Sequence, residues 1–328
     1  MAGCDARRNY CGYAGIEGLR RRHSGAGQVL FRGDLVTVAD DVVADFAAGR
    51  VAGAEADRLF AALSAAFEER GFLFHAMRGG RGLMLAPDEF GDVACTPAID
   101  MLGRARSKHW PTGPRADGLR GLMRSADEVL TGHAVNRLRV DAGSAPLNAL
   151  WLWGQGVPPR LRRFREQFGL RGAAVGRDEL FRGVAAALGW PTVGPGDDCD
   201  DATAPGTAAL AALDEHELVV VHLDRPLEAA LAGDVSGKLR AIEQADSAVI
   251  APLLARLQRE PHWSLAVACD VPAYVQRRGL GAEPVPFCVC GSAPFGLGAA
   301  TRFTESAADD ADLVIEHGWE LMEYVLRS

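Results

Sequence analysis

The chain has 328 residues and a mass of 34.8 kDa, with 48% hydrophobic and 24% charged residues; this is the composition of a globular protein and excludes a disordered, collagen-like or coiled-coil chain. Its formal net charge of -8 argues against a nucleic-acid partner held through phosphate contacts, and no apolar run reaches the roughly 18 residues that a membrane span needs. The opening MAGCDARRNYCG has arginines but no apolar stretch behind them, so no secretory leader is read and a cytoplasmic address is expected.

In chain order, Val29–Val38 and Val42–Phe46 read as strands. Ala54–Glu69 reads as a helix with Leu59, Phe60, Leu63 and Phe67 on its inward face. A Gly- and Arg-rich stretch, Met77–Gly82, follows, and Asp92–Ala116 is polar and irregular with three prolines. From Trp151 onward strands alternate with helices. Gly172–Val175 is a short apolar run, and Arg177–Leu188 is a helix stopped by Gly189-Trp190-Pro191. Glu217–Leu223 is a β-branched run of the buried parallel kind, in which His222 reads as a core histidine. Asp234 or Ser236 caps a helix through Leu257, with Leu239, Ile242, Ala245, Ile250 and Leu254 inward. Ser264–Ala268 and Val285–Val289 are further strands, and Ala307–Leu326 is a last amphipathic helix. Strands separated by such helices imply βαβ units. The expected fold class is therefore α/β with a mostly parallel sheet. Residues 1–46 and 141–328 form its core, and 47–140 are an inserted smaller α+β domain.

Lys108 and Lys238 are the only lysines. The seven cysteines, Cys4, Cys11, Cys95, Cys199, Cys269, Cys288 and Cys290, form no C-x-x-C pair, and free buried thiols are expected. Cys288 and Cys290 fall on one face of a strand by period 2. The acidic Asp197–Asp201 stretch lacks the glycine and terminal glutamate of a calcium loop and reads as a solvated turn. Gly291–Gly298 is glycine-rich without phosphate-loop spacing.

The segment NALWLWGQG (Asn148–Gly156) stands with FRGDLVTV (Phe31–Val38), HAVNRLR (His133–Arg139), DRPLEAALAGD (Asp224–Asp234), KLRAIEQAD (Lys238–Asp246), ACDVPAYVQRR (Ala268–Arg278) and EPVPF (Glu283–Phe287). Together these blocks resemble the archaeal-type, cofactor-independent phosphoglycerate mutases of the alkaline phosphatase superfamily. The resemblance implies an alkaline-phosphatase-like core, two metal ions and a serine nucleophile that carries a phosphoryl group between two hydroxyls. Several positions depart from the family pattern. Leu227, Leu231, Val271 and Leu280 stand where the resemblance implies metal ligands, and none of these side chains has a lone pair to give a cation. Thr207 stands at the place of an expected lysine, and Ala98-Ile99-Asp100 and Arg81-Gly82 lack expected histidines. Cys4–Gly12 resembles a stretch that follows the family's first core strand, which places that strand and the nucleophile upstream of Met1. No metal and no cofactor are therefore expected.

The polar family positions that remain suggest a site. Arg81, Arg139 and Arg278, with Asn136 and Asn148, are expected to bind an oxyanion in an interdomain cleft. Asp270, Glu228 and His133 are the expected catalytic residues, as proton acceptors in a site without cations. The resulting expectation is a repurposed, metal-independent enzyme of a specialised biosynthetic pathway. It would act on a small-molecule phosphate or sulfate ester by elimination or internal displacement. The alternatives are a scaffold that binds a ligand without chemistry and an active mutase with unrecognised replacement ligands. A sheet short of an inner strand also raises a second polypeptide as a possible partner.

Overall fold

The computed structural model describes residues 12–21, 27–46, 51–196, 199–292 and 302–327. The readings of Cys4–Gly12 and Gly291–Gly298 fall largely outside these residues. The chain divides into two compact units, Tyr10–Gly169 with Asp178–Trp190, and Leu170–Arg177 with Pro191–Ser328.

The first unit is built on α1 (Gly12–Arg21), β1 (Gln28–Ala39), β2 (Val42–Phe46), α2 (Gly53–Phe67), β3 (Leu73–Ala76), β4 (Arg81–Pro87), α3 (Ala116–Thr131), α4 (Ala134–Asp141), β5 (Ala149–Gly156), α5 (Phe164–Phe168) and α6 (Glu179–Leu188). Its sheet runs β2-β1-β4-β3, with β5 on the other edge of β1, and every pairing is antiparallel. The β1–β2 link is tight because Asp40 and Asp41 both take positive φ, 48° and 67°, as the primed hairpin turns require. Trp151, Phe31, Phe60, Leu35, Leu59 and Leu83 are fully buried here. The unit's bounds differ from the expected 47–140 segment, since β4 pairs directly with β1, which pairs with β5.

One face of this sheet carries charge inside the fold. Arg32 and Asp34 alternate on β1, with Trp153 opposite Arg32 and Arg81 opposite Asp34. The Arg32 guanidinium lies 5.0 Å from the Trp153 ring centroid, and Trp153 Nε1 donates to Asp34. Glu17 of α1 pairs with Arg32 at 3.3 Å, and Arg81 reaches Asp178, the N-cap of α6, at 3.6 Å. Burial pushes the Glu17 carboxyl up to about 7, against the opposing pull of Arg32 and then Arg81.

The second unit contains β6 (Gly172–Val175), β7 (Thr192–Val193), α7 (Ala204–Ala212), β8 (Leu218–Val221), α8 (Arg225–Ala232), α9 (Val235–Ala245), α10 (Ala251–Leu257), β9 (Ser264–Ala268), β10 (Ala273–Tyr274), β11 (Gly279–Leu280), β12 (Phe287–Gly291), α11 (Glu305–Asp309) and α12 (Glu320–Arg327). Strands β7-β6-β8 form a parallel sheet, while β9 with β12 and β10 with β11 are antiparallel pairs. The expected mostly parallel sheet is thus, among the described residues, three short strands. Locally, β-branched runs look alike whichever way they pair.

Three further expectations are corrected. Leu239 and Ile242 of α9 are 58% and 49% exposed instead of inward. A π-turn at Asp246–Ile250 resets the helical phase and brings Val249 and Leu253 into the core. The last helix is two short ones, α11 and α12, because the Asp309-Asp310-Ala311-Asp312 run and Gly318 between them are poor helix formers. Cys288 and Cys290 do share a face of β12, but they are exposed, as is Cys269. Cys95 is half-buried, and burial pushes its thiol up to about 12.

The first turn of α7 lies against that π-turn. A Cβ on Gly206 would be driven into the Ala248 carbonyl oxygen, which cannot yield without moving backbone. Gly206→Ala is therefore expected to cost about 1–3 kcal/mol, read as a lower denaturant midpoint. Gly121→Ala in α3, where a Cβ meets nothing within 4 Å, should stabilise by about 0.5–1 kcal/mol.

Glu17 yields a pH prediction. As pH rises from 4.5 towards 7, the folded chain holds a proton on Glu17 that the unfolded chain has already released. The stability contributed by this group is thus complete below pH 4.5 and is lost as pH climbs past 7, by about 3 kcal/mol in all. Urea denaturation of wild type and Glu17→Gln between pH 4.5 and 8 should show the variant gaining on wild type by that amount. Parallel stability curves for the two proteins would refute the shift.

Candidate functional site

The carboxyl ends of β6, β7 and β8 open onto a pocket, the place where parallel α/β sheets bind ligands. Each wall has a local cause. After β6 the chain runs Gly176-Arg177, and after β8 it runs His222-Leu223-Asp224 into α8. The His222 amide still donates to the Val175 carbonyl at 2.8 Å, so the strand pairing extends to the pocket floor. Helices α7 and α8 both begin at the pocket, with Pro205 and Pro226 in their first turns, where a missing N–H costs nothing. Their positive dipole ends favour an anion there.

Arg177 organises the charge of this site. Its Nε donates to Asp224 at 2.8 and 3.1 Å and its Nη2 to Glu228 Oε2 at 2.7 Å. The guanidinium side chain is 11% exposed. Burial opposes its charge, yet Asp224 and then Glu228 outweigh that and hold it above the ordinary arginine range. Arg225, one residue into α8, is looser. Its Nη2 is 3.5 Å from Asp200 and its side chain is 34% exposed. Arg225 and His222 line the same pocket.

Of the expected site residues, only Glu228 joins this arrangement, as an acceptor for Arg177. Asp270 is exposed in the bend before β10 and does not line the pocket. Arg278, at φ 49°, gives its Nε to Leu231 O at 2.8 Å at the end of α8. In the first unit the expected residues serve as backbone staples. His133 caps α4 by accepting from Val135 N. Asn136 is buried and bonds Leu130 O, Leu147 O and Leu147 N. Asn148 bonds both Val38 N and Val38 O. Arg139 is paired with Glu55 at 2.8 Å and with Ala145 O at 3.0 Å, and Arg81 belongs to the charged face of the β1 sheet. Arg177, Asp224 and Arg225, which line this pocket with His222, are not among the expected site residues. Their signal was the strand-end position, since each lies within four residues of the end of β6 or β8.

The two cations implied by the resemblance find no donors at the expected positions. Leu227 and Leu231 lie in α8, Leu280 in β11 and Val271 beside Asp270. Among the described residues, no group of three His, Cys, Asp or Glu side chains is placed to hold a metal ion. The residues present do not fit that metal pair.

The family model described as 2,3-bisphosphoglycerate-independent phosphoglycerate mutase matches residues 1–136. A protein of Methanothrix thermoacetophila with that name is 33% identical over 338 aligned positions, covering 99% of this chain and 84% of its own. A probable enzyme of the same name from Geobacter sulfurreducens is 31% identical with the same coverage. One numbered 2 from Methanothermobacter thermautotrophicus is 34% identical over 89% of this chain and 73% of its own. A solved Pyrococcus horikoshii protein superposes with a TM-score of 0.66 at 20% identity, over 93% of this chain and 75% of its own, a likeness of fold. The consistent naming of the relatives overturns the expectation of an elimination or cyclisation enzyme of a specialised pathway, and with it that of a scaffold without chemistry. From end to end of its sequence, this chain belongs to the 2,3-bisphosphoglycerate-independent phosphoglycerate mutase family.

Proposed function

We propose that the protein acts as a phosphoglycerate mutase, with the phosphorylated end of its substrate seated in the pocket at the ends of β6, β7 and β8. The observation that carries this reading is chain-long similarity to proteins of that name, at 33% identity over 99% of the chain. The pocket supports it on physical grounds. Two helix N-termini and Arg225 converge on one cavity, and a partly exposed guanidinium is suited to two-point capture of a phosphoryl group. His222 lines the same pocket, and an imidazole there can take or return a hydroxyl proton. Arg177 keeps the end of β6 and the first turn of α8 together, which sets the distance between these groups.

The purified chain, given 3-phosphoglycerate, should form 2-phosphoglycerate, read directly by phosphorus NMR without coupling enzymes. Arg225→Ala should raise KM about 10- to 150-fold, the worth of one charge-assisted contact of about 1.5–3 kcal/mol. Absence of interconversion at stoichiometric protein would overturn the reading. An unchanged KM in the variant would move the phosphate elsewhere.

A further inference from the structure

The pocket presents a charge problem that its own residues ease. Asp224 and Glu228 stand four apart at the start of α8, a spacing that sets two like charges on one helix face. Both would repel a phosphate ester that enters between α7 and α8. A divalent ion is the usual counter-charge for such a pair, but the neighbours Leu227 and Leu231 cannot complete a coordination shell. A guanidinium stands there instead. Arg177 reaches across from β6 and gives three hydrogen bonds to the two carboxylates, at 2.8, 3.1 and 2.7 Å.

We infer that Arg177 is the resident cation of the pocket: its guanidinium stands at Asp224 and Glu228 where a divalent ion would otherwise sit and offsets one of their two negative charges, so the pocket takes a phosphate group without a bound metal at these carboxylates. The inference rests on the reading of this pocket as the substrate's seat. The planar fork fits two carboxylates better than a point charge does. A guanidinium also stays charged at any working pH, so the compensation does not vary with acidity or with the supply of cations. Arg177 acts here as a positioning and charge-balancing residue, while Arg225 is left to meet the ligand.

Calorimetric titration of the full chain with inorganic phosphate, in chelator and again in excess Mn²⁺, tests this. Wild type should give the same Kd within about twofold in both. Arg177→Ala should weaken phosphate binding by about tenfold or more, roughly one lost charge compensation. It should also gain Mn²⁺ binding, read by electron paramagnetic resonance, because Asp224 and Glu228 then lose the guanidinium that lies between them and a cation. Adding Glu228→Gln to that variant should restore much of the phosphate affinity, which a purely structural arginine would not allow. If Arg177→Ala fails to fold, Arg177→Lys keeps the charge and should bind phosphate within about threefold of wild type, with no Mn²⁺ uptake. Chelator-sensitive phosphate binding by wild type, no phosphate binding at all, or an Arg177→Ala variant that binds phosphate unchanged would overturn the inference. The proposed function fails separately: a chain that binds phosphate in this pattern yet leaves 3-phosphoglycerate unconverted refutes the mutase reading alone.

Discussion

Strand β1 is hydrogen-bonded along both edges, and the first unit depends on that constraint. Its residues pair with β4 over Gln28–Asp34, with β5 over Leu30–Val36 and with β2 over Val36–Ala39. The register of one strand therefore sets the faces of three others, because a slip of one residue would exchange buried and outward side chains throughout. The register also places Arg32, Asp34, Arg81 and Trp153 side by side under α1. A charge cluster in that position is tolerated because every member has an opposite charge or a ring against it. Glu17 carries the cost, since it is buried with one oxygen unsatisfied, and protonation is its relief.

The second unit solves an analogous problem at the ends of its parallel strands. Two carboxylates near a helix N-terminus are favourable for the helix dipole but unfavourable for an incoming anion. Arg177 eases the conflict by offsetting one of the two charges of Asp224 and Glu228 without displacing either. The same contacts tie β6 to α8 across the sheet edge. The packing of these elements thus rests on one side chain, and family membership gives the pocket its proposed substrate.

The strands and helices with strong local patterns were legible in the sequence. β1, β2, α2, β6, α6, β8 and β9 all fall where apolar periodicity and turn residues placed them. What failed had non-local causes. The direction of β5 is set by pairing with β1 more than a hundred residues earlier. The inward face of α9 and α10 changes at a π-turn that no propensity announces. Asn136 and Asn148 are polar residues in family blocks, and so resemble site residues. Their amides instead satisfy buried or half-buried backbone groups of Leu147 and Val38, a task that polar residues in loops commonly perform.

Composition, apolar periodicity and the run of family blocks were enough to establish a globular chain, most of its elements and its family, because each of these is written in residues close together in sequence. That Leu227, Leu231, Val271 and Leu280 offer no lone pair to a cation follows from residue chemistry in the same way. Folding settled which polar residues work as a group. Arg177 meets Asp224 and Glu228 across 47 and 51 positions, and Glu17 meets Arg32 on a different element. Electrostatic partnership depends on distance in space and on burial, and neither quantity exists until the chain is folded.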